Sequence, residues 1–230
     1  TIIIPMYNES MVIQDTIRSI LDSHYPQLDI IVVDDGSTDG SAALVQEVAE
    51  DKSHRVKLAE GTNLRAADII VPSDPSSAAF AIVAALITPG SDIILCGIGM
   101  NPLRTGLITT LIEMGGNITK SNHRTEGGEA VADLRVKHSQ LHGITVPPDR
   151  AASMIDEYPI LSVAAASANG TTEMLGIAEL RVKETDRIKV MAEGLISCGV
   201  KVDFDEASMR VTNSTVKGGV TISAEHDHRI

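Results

Sequence analysis

The chain is predicted to be an α/β protein in two unlike parts, a β-α-β-α segment followed by a duplicated α/β subdomain. Three observations carry this expectation. Short, wholly apolar runs alternate with stretches of helical period over the first 50 residues, the pattern of parallel strands joined by crossover helices. From about His54 onward the chain matches itself at an offset near 80, with Val83-Ala84-Ala85-Leu86 answering Val163-Ala164-Ala165-Ala166 and LIEMGGNI from Leu111 answering LISCGVKV from Leu195. Charge breaks at the same place: residues 1–53 hold two basic residues against ten acidic ones, and the remainder holds 17 against 21. Two parts, 1–53 and 54–230, follow from that break.

Taken in order, TIIIP is a short apolar strand, and Met11–Leu21 carries apolar residues at 13, 17, 20 and 21, as one face of a helix does. DIIVV is a buried strand that runs into the turn DDGSTDGS, and Ser41–Glu50 forms a second helix. Together these make the first half of a Rossmann-like nucleotide-binding layer. Each copy of the later repeat reads helix, strand, helix, strand, strand, with glycine at helix ends and turns. A unit of this length is too large for a solenoid, so it reads as a duplicated subdomain. In the second copy Ile188, Met191, Ala192, Leu195 and Ile196 fall on one helical face, and Thr185 and Asp186 are good capping residues ahead of it.

Composition narrows the function. The chain has 230 residues, 43% of them hydrophobic, and a net charge of −12, the balance of a folded globular protein. It has no Trp, three Tyr and two Phe, which leaves no stacking platform for single-stranded nucleic acid, and the acidic balance argues against a phosphate-backbone binder. Cys96 and Cys198 sit in apolar runs and read as small buried hydrophobes of a reducing compartment. No run reaches the roughly 20 apolar residues of a membrane span, and no signal peptide opens the chain, so a cytoplasmic setting without membrane contact is expected.

RVKETDR, residues 181–187, gathers Arg181, Lys183, Glu184 and Arg187 around a helix N-terminus. Cations added to the positive end of a helix make an anion site; the other reading is a solvated, charged first turn. Asp156, ahead of PILSVAAA, reads locally as a helix-start acid, and Arg229 as part of a frayed terminus. His226, Asp227 and His228 alternate in direction on an extended segment, so no metal site is expected of them.

Several stretches share one further property. ELRVKETDRI at 179–188 resembles the signature of the EPSP synthase (5-enolpyruvylshikimate-3-phosphate synthase) family. VPSDPSSAAF at 71–80, NPLRTGL at 101–107, GGEAVADLRV at 127–136, SMIDEYPIL at 153–161 and DHRI at 227–230 resemble it in the same order. RVKETDR and DPSSAAF separate this family from the related transferase acting on UDP-N-acetylglucosamine, and the ELRVKE form resembles the bacterial class of reduced herbicide sensitivity. The resemblance covers residues 54–230 and implies duplicated α/β subdomains of the enolpyruvyl transferase type. It also implies a carboxyvinyl transferase of the shikimate pathway, which leads to chorismate and the aromatic amino acids. The enolpyruvyl group of phosphoenolpyruvate passes to the 5-hydroxyl of shikimate 3-phosphate by addition and then elimination of phosphate, without metal or cofactor. Carried over by position, Asp156 and Glu184 are the acid/base carboxylates, Lys183 contacts substrate, and Arg187 and Arg229 hold the phosphoenolpyruvate anion. The chemistry needs such a set: a base for the attacking hydroxyl, a proton for the methylene carbon, and fixed cations for the anionic substrates.

The first 50 residues resemble a different family, the family-2 nucleotide-sugar glycosyltransferases, through IIIPMYNES at 2–10 and IIVVDDGSTDGS at 30–41. That resemblance puts Tyr7 and Glu9 near a nucleotide and Asp35 on its base; the local alternative for Asp34–Asp39 is a solvated acidic turn. The later metal-binding DxD of that family has no counterpart, since Asp203-Phe204-Asp205 falls inside the repeat. Ser73 stands where the EPSP synthase pattern usually has Gly, and the family's N-terminal substrate contacts have no match. A fragment or chimera is therefore expected, with little or no turnover of its own, because one wall of a cleft does not exclude water. The alternatives are a glycosyltransferase fragment and a non-catalytic protein.

Overall fold

Ile2–Met6 (β1), Asp29–Asp34 (β2) and Arg55–Leu58 (β3) pair in parallel in the order β1-β2-β3. Parallel neighbours need crossovers, and helices Ile13–Leu21 (α1) and Ser41–Ala49 (α2) supply them. The computed structural model describes residues 2–21, 29–34, 37–49, 55–58 and 70–230. Met6, Ile13, Ile17, Ile30, Val32 and Val45 are the buried core of this part. The apolar period located α1 correctly but began it too early, since Met11 is 92% exposed in the turn before it. Two loops at the carboxyl ends of β1 and β2 are tied together: Asn8 N–H donates to Ser37 Oγ (2.9 Å), and Thr38 N–H donates to Asn8 Oδ1 (2.9 Å). Asp39 accepts the Ser41 hydroxyl and the Ser10 N–H, which together hold its carboxyl well below the usual range.

The chain divides into compact units at Thr1–Ala67 and Asp68–Ile230. The charge break at residue 53 falls before that divide, because β3 completes the first sheet by pairing with β2.

The second unit shows the expected repeat. The first copy is Pro75–Ile87 (α3), Asp92–Gly99 (β4), Gly106–Glu113 (α4), Asn117–Glu126 (β5) and Glu129–Lys137 (β6). After the short strand Thr145–Val146 (β7), the second copy is Tyr158–Ser167 (α5), Thr171–Leu175 (β8), Arg187–Ser197 (α6), Lys201–Phe204 (β9) and Ser208–Thr212 (β10). The sheets run β4-β6-β5 and β7-β8-β10-β9, so in both copies the last strand made lies between the two earlier ones. Within each copy the strand pairs are antiparallel, and hairpins close β5 on β6 and β9 on β10.

Local chemistry sets the helix starts. Asp74 caps α3 by accepting the Ser77 N–H (2.9 Å), with Pro75 in the first position, where its missing N–H costs nothing. Asp186 caps α6 through the Lys189 N–H (3.0 Å). Both copies feed one core, in which Ile82 and Leu86 of α3, Leu161 of α5 and Ile188 of α6 are buried with Leu134 and Met174 from the sheets. Alanines at 79, 164 and 165 are fully or nearly fully buried and keep the helix surfaces small where α3 and α5 pack.

Cys96 corrects the sequence reading: it is exposed, and Cys198 is half-buried against the core. β4 covers the core with one face and turns Ile94 and Cys96 outward, an arrangement that a wholly apolar run does not reveal. Tyr158 is fully buried, its hydroxyl has no hydrogen-bond partner among the described residues, and burial pushes its pKa up to about 12. Tyr158→Phe is expected to raise stability by about 1 kcal/mol, because an unpaired buried hydroxyl costs more than it returns. A lowered midpoint in urea unfolding would show instead that the hydroxyl is satisfied.

Candidate active site

Three chain segments meet at one guanidinium. Arg187, the first residue of α6, is 1% exposed. Its Nε donates to Asp227 Oδ2 (2.8 Å), Nη1 to Asp156 Oδ1 (2.9 Å), and Nη2 to both Glu184 Oε2 (2.5 Å) and Asp227 Oδ1 (3.2 Å). Asp156 arrives on a 3-10 turn, Ile155–Glu157, that leads into α5, and Glu184 on the stretch between another such turn, Ala178–Val182, and α6. Asp227 comes from the tail, with its side chain fully buried, and it also accepts Thr185 Oγ1 (3.0 Å) and the Arg229 N–H (2.9 Å). A charge this deep is tolerable only when paired. Burial pulls the Asp227 carboxyl upward, but hydrogen bonds from Arg187, the Arg229 amide and Thr185 outweigh it and hold the pKa below the ordinary value. For Arg187, burial works against the charge, and the carboxylates more than restore it.

Arg229 borders this cluster, with Nη2 3.8 Å from Asp156 Oδ2 and a side chain 15% exposed. Its Nε is buried and has no hydrogen-bond partner among the described residues. His228 Nδ1 stands 3.9 Å from Glu184 Oε1. A cavity of about 570 Å³ opens beside Glu184, between α6 and residues 221–225.

Of the residues singled out in the sequence, Asp156, Glu184, Arg187 and Arg229 are thus brought together. Lys183 lies next to Glu184 in the chain but pairs with Glu179 (2.6 Å), and Arg181 pairs with Asp186 (2.6 Å) while donating to the backbone carbonyls of Asp205 and Glu206. The charges around the start of α6 are thus paired with one another. Its cations are engaged by carboxylates, and Asp186 caps the helix. The tail is not frayed either, because Asp227 anchors it to Arg187. Tyr7 and Glu9 follow the carboxyl end of β1 and are exposed, and the Glu9 N–H donates to Ser41 Oγ (2.8 Å). Asp35 lies outside the described residues.

Sequence reasoning missed Asp227 as an ion-pair partner and missed a matching pair in the first copy. Arg104, just before α4, binds Asp74 (3.3 Å), just before α3, and also donates to Ser76 Oγ (2.9 Å). Asp156 and Arg187 hold the corresponding places in the second copy, ahead of its first helix and at the start of its second. The signal was available, since Asp74, Arg104 and Asp227 all lie in the stretches that carried the resemblance.

Gly176 supports this region from behind. It follows β8 with φ +70°, and a Cβ placed there would stand 2.9 Å from the Pro148 Cα. The turn carrying Pro148 is itself clamped to α4 by Arg150, which binds Glu113 at 2.5 and 2.9 Å.

Comparison with known proteins finds two families along the chain. A family model described as EPSP synthase (3-phosphoshikimate 1-carboxyvinyltransferase) matches residues 43–230, and one for glycosyl transferase family 2 matches residues 1–67. A 3-phosphoshikimate 1-carboxyvinyltransferase of Methylobacterium sp. (strain 4-46) is 60% identical over 169 residues, covering 73% of this chain and 38% of that protein. Its counterpart in Granulibacter bethesdensis is 52% identical over 193 residues, covering 83% of this chain and 42% of the relative. A solved structure of EPSP synthase from Acinetobacter baumannii superposes with a TM-score of 0.71 at 40% identity, covering 86% of this chain and 47% of that one. The chain therefore spans about two fifths to one half of the length of these relatives.

Proposed function

The chain belongs to the EPSP synthase family, and from that premise we propose that residues 68–230 supply the acid–base and anion-holding wall of a site for enolpyruvyl transfer from phosphoenolpyruvate to shikimate 3-phosphate. The observation that carries this reading is the convergence of Asp156 and Glu184 on different nitrogens of one buried guanidinium. Both carboxylates stay partly open to solvent, at 38% and 52% exposure, so they can reach a substrate while Arg187 fixes where they stand. In this reading one of them takes the proton of the attacking 5-hydroxyl as its oxygen bonds to the central carbon of phosphoenolpyruvate. The other delivers a proton to the methylene carbon, and the reverse proton loss accompanies phosphate departure. Arg229 offers a guanidinium edge for a carboxylate or phosphate, and Lys183 a mobile point charge. Arg187 donates four hydrogen bonds to three carboxylates. With four of its five N–H groups so engaged, its first role here is to position Asp156 and Glu184, and the phosphoenolpyruvate contact that the resemblance implies falls to the remaining Nη1 hydrogen or requires a carboxylate to give way.

No helix among the described residues is long and apolar enough to cross a membrane, and a cytoplasmic setting accompanies the proposed pathway. For residues 1–67, nucleotide contact by Tyr7, Glu9 and Asp35 remains the proposal that the second family match supports.

Two measurements on the full chain, made without added metal, test the reading. Shikimate 3-phosphate with phosphoenolpyruvate is expected to raise the melting temperature of the wild type and not of Arg229→Ala, since a ligand that binds only the folded form stabilises it. Phosphate release is expected to stay at background, because the wall described here cannot close over both substrates. Release that requires shikimate 3-phosphate and vanishes in Glu184→Gln would show a complete site. A wild type that neither ligand stabilises would favour the non-catalytic alternative.

A further inference from the structure

Lys183 is held by a residue that the resemblance gives no role. Its ammonium donates to Glu179 Oε1 (2.6 Å), its one hydrogen-bond and ion-pair partner among the described residues. The backbone beneath this pair is fixed. Leu180 is buried, the Ile177 N–H donates to the Ala207 carbonyl (2.9 Å), and Arg181 clamps the same turn to Asp186 and to the carbonyls of Asp205 and Glu206. The pair itself is open, with the Glu179 side chain 61% exposed and that of Lys183 26%. An ion pair of such exposure is weak, because water screens it and solvates either partner that leaves. The parts free to move are thus two side chains on a turn that stays in place.

Charge gives the contact a consequence. Asp156, Glu184 and Asp227 set three carboxylates against the two guanidiniums of Arg187 and Arg229. An anionic substrate meets an excess of negative charge there unless another cation is added. Lys183 cancels that excess, and Glu179, by pairing with Lys183, restores it.

We propose that Glu179 is a latch on Lys183: in the unliganded chain it neutralises the ammonium, and the phosphate or carboxylate of an anionic substrate binds by taking the place of the Glu179 carboxylate. The latch rests on the substrate contact proposed for Lys183 and adds a control on it. Exchanging one oxyanion for another keeps the ammonium in a charge-assisted hydrogen bond, and the released carboxylate already faces solvent. Arg187 has no such freedom, since Asp227 is fully buried and would be stranded. Glu179 therefore lowers the affinity for an anion at Lys183 without touching the anion itself.

Phosphoenolpyruvate affinity, read from thermal shifts of the full chain in the presence of shikimate 3-phosphate, tests the latch. Glu179→Gln keeps the shape and removes the charge; it is expected to tighten binding by about threefold, the scale of an exposed ion pair. On a Lys183→Met background the same change is expected to give no gain, as follows for a group that acts through its partner. Glu206→Gln is the control for charge alone, because the Glu206 side chain is 95% exposed and stands against Arg181. Should Glu179→Gln fail to fold, Glu179→Ala takes its place. Stabilisation that appears only once Glu179 is changed would also support the latch. Weaker binding in Glu179→Gln would make Glu179 a support for Lys183 and overturn the proposal. No change, a gain that survives Lys183→Met, or an equal gain in Glu206→Gln would overturn it as well. A chain that the ligands stabilise neither with Glu179 nor without it would remove the proposed anion site, and the latch with it. That outcome is distinct from wild-type binding that is indifferent to Glu179.

Discussion

Arg187→Met is expected to destabilise the second unit by about 3–5 kcal/mol, the cost of leaving one member of a buried ion pair without its partner. The loss centres on Asp227, whose side chain has no solvent exposure and takes two of the Arg187 hydrogen bonds. Asp156 and Glu184 are open enough to recover hydration and contribute little of it. Adding Asp227→Asn to Arg187→Met is therefore expected to restore a good part of the stability, because the stranded charge goes with it. Urea unfolding of the single and double variants measures both effects, and a single-variant loss below about 1 kcal/mol would show that water reaches the pair. Protons run the same experiment. The Asp227 carboxyl has a folded pKa below its unfolded one, so its contribution is present above the unfolded value, near 3.8, and is lost as pH falls through the folded value. Wild-type stability should accordingly keep declining below the ordinary carboxylate range, and Asp227→Asn should flatten that limb.

Gly176→Ala is expected to cost about 2–4 kcal/mol, from left-handed backbone strain and from overlap with a neighbour that cannot retreat. The added Cβ meets the Cα and ring of Pro148, and the Arg150–Glu113 clamp holds that turn against α4. Gly170 is the control: its φ is +94° and nothing lies within 4 Å of an added Cβ. Gly170→Ala should show strain alone, about 1–2 kcal/mol. Equal midpoint shifts in the two variants would mean that the 148–153 turn gives way freely. Because Gly176 leads into the turn carrying Glu179 and Arg181, the first variant should also weaken ligand-induced stabilisation, and the second should not.

Much of this architecture was legible in the sequence, for reasons specific to each element. Apolar period gave α6 its buried face through Ile188, Ala192 and Leu195, and alternation of wholly apolar strands with helices gave the parallel first sheet. Self-similarity gave the repeat, since each copy must bury the same faces in the same order. What escaped was set by partners far along the chain. Nothing local to Asp227 announces an arginine 40 residues earlier, and nothing local to Asp74 announces Arg104, 30 residues further on. Cys96 misled because a strand with one face open and a strand with both faces covered can be spelled with the same residues. The boundary at 53 followed charge, whereas the fold follows pairing, and β3 continues the first sheet beyond the break.

The placement of each copy's last strand between the two earlier ones has a consequence during synthesis. β4 ends at Gly99, yet its sheet neighbour β6 starts at Glu129. At translation rates of about 5–20 residues per second, β4 waits for seconds on the nascent chain with its hydrogen-bonding edge unsatisfied, carrying the exposed Ile94 and Cys96 on its outer face. The same delay separates β8 from β10. The β5–β6 and β9–β10 hairpins can close as soon as they emerge, but each copy stays open to pairing with other chains until its final strand slots in. On this topology, slow elongation between residues 99 and 129 prolongs the period of greatest aggregation risk.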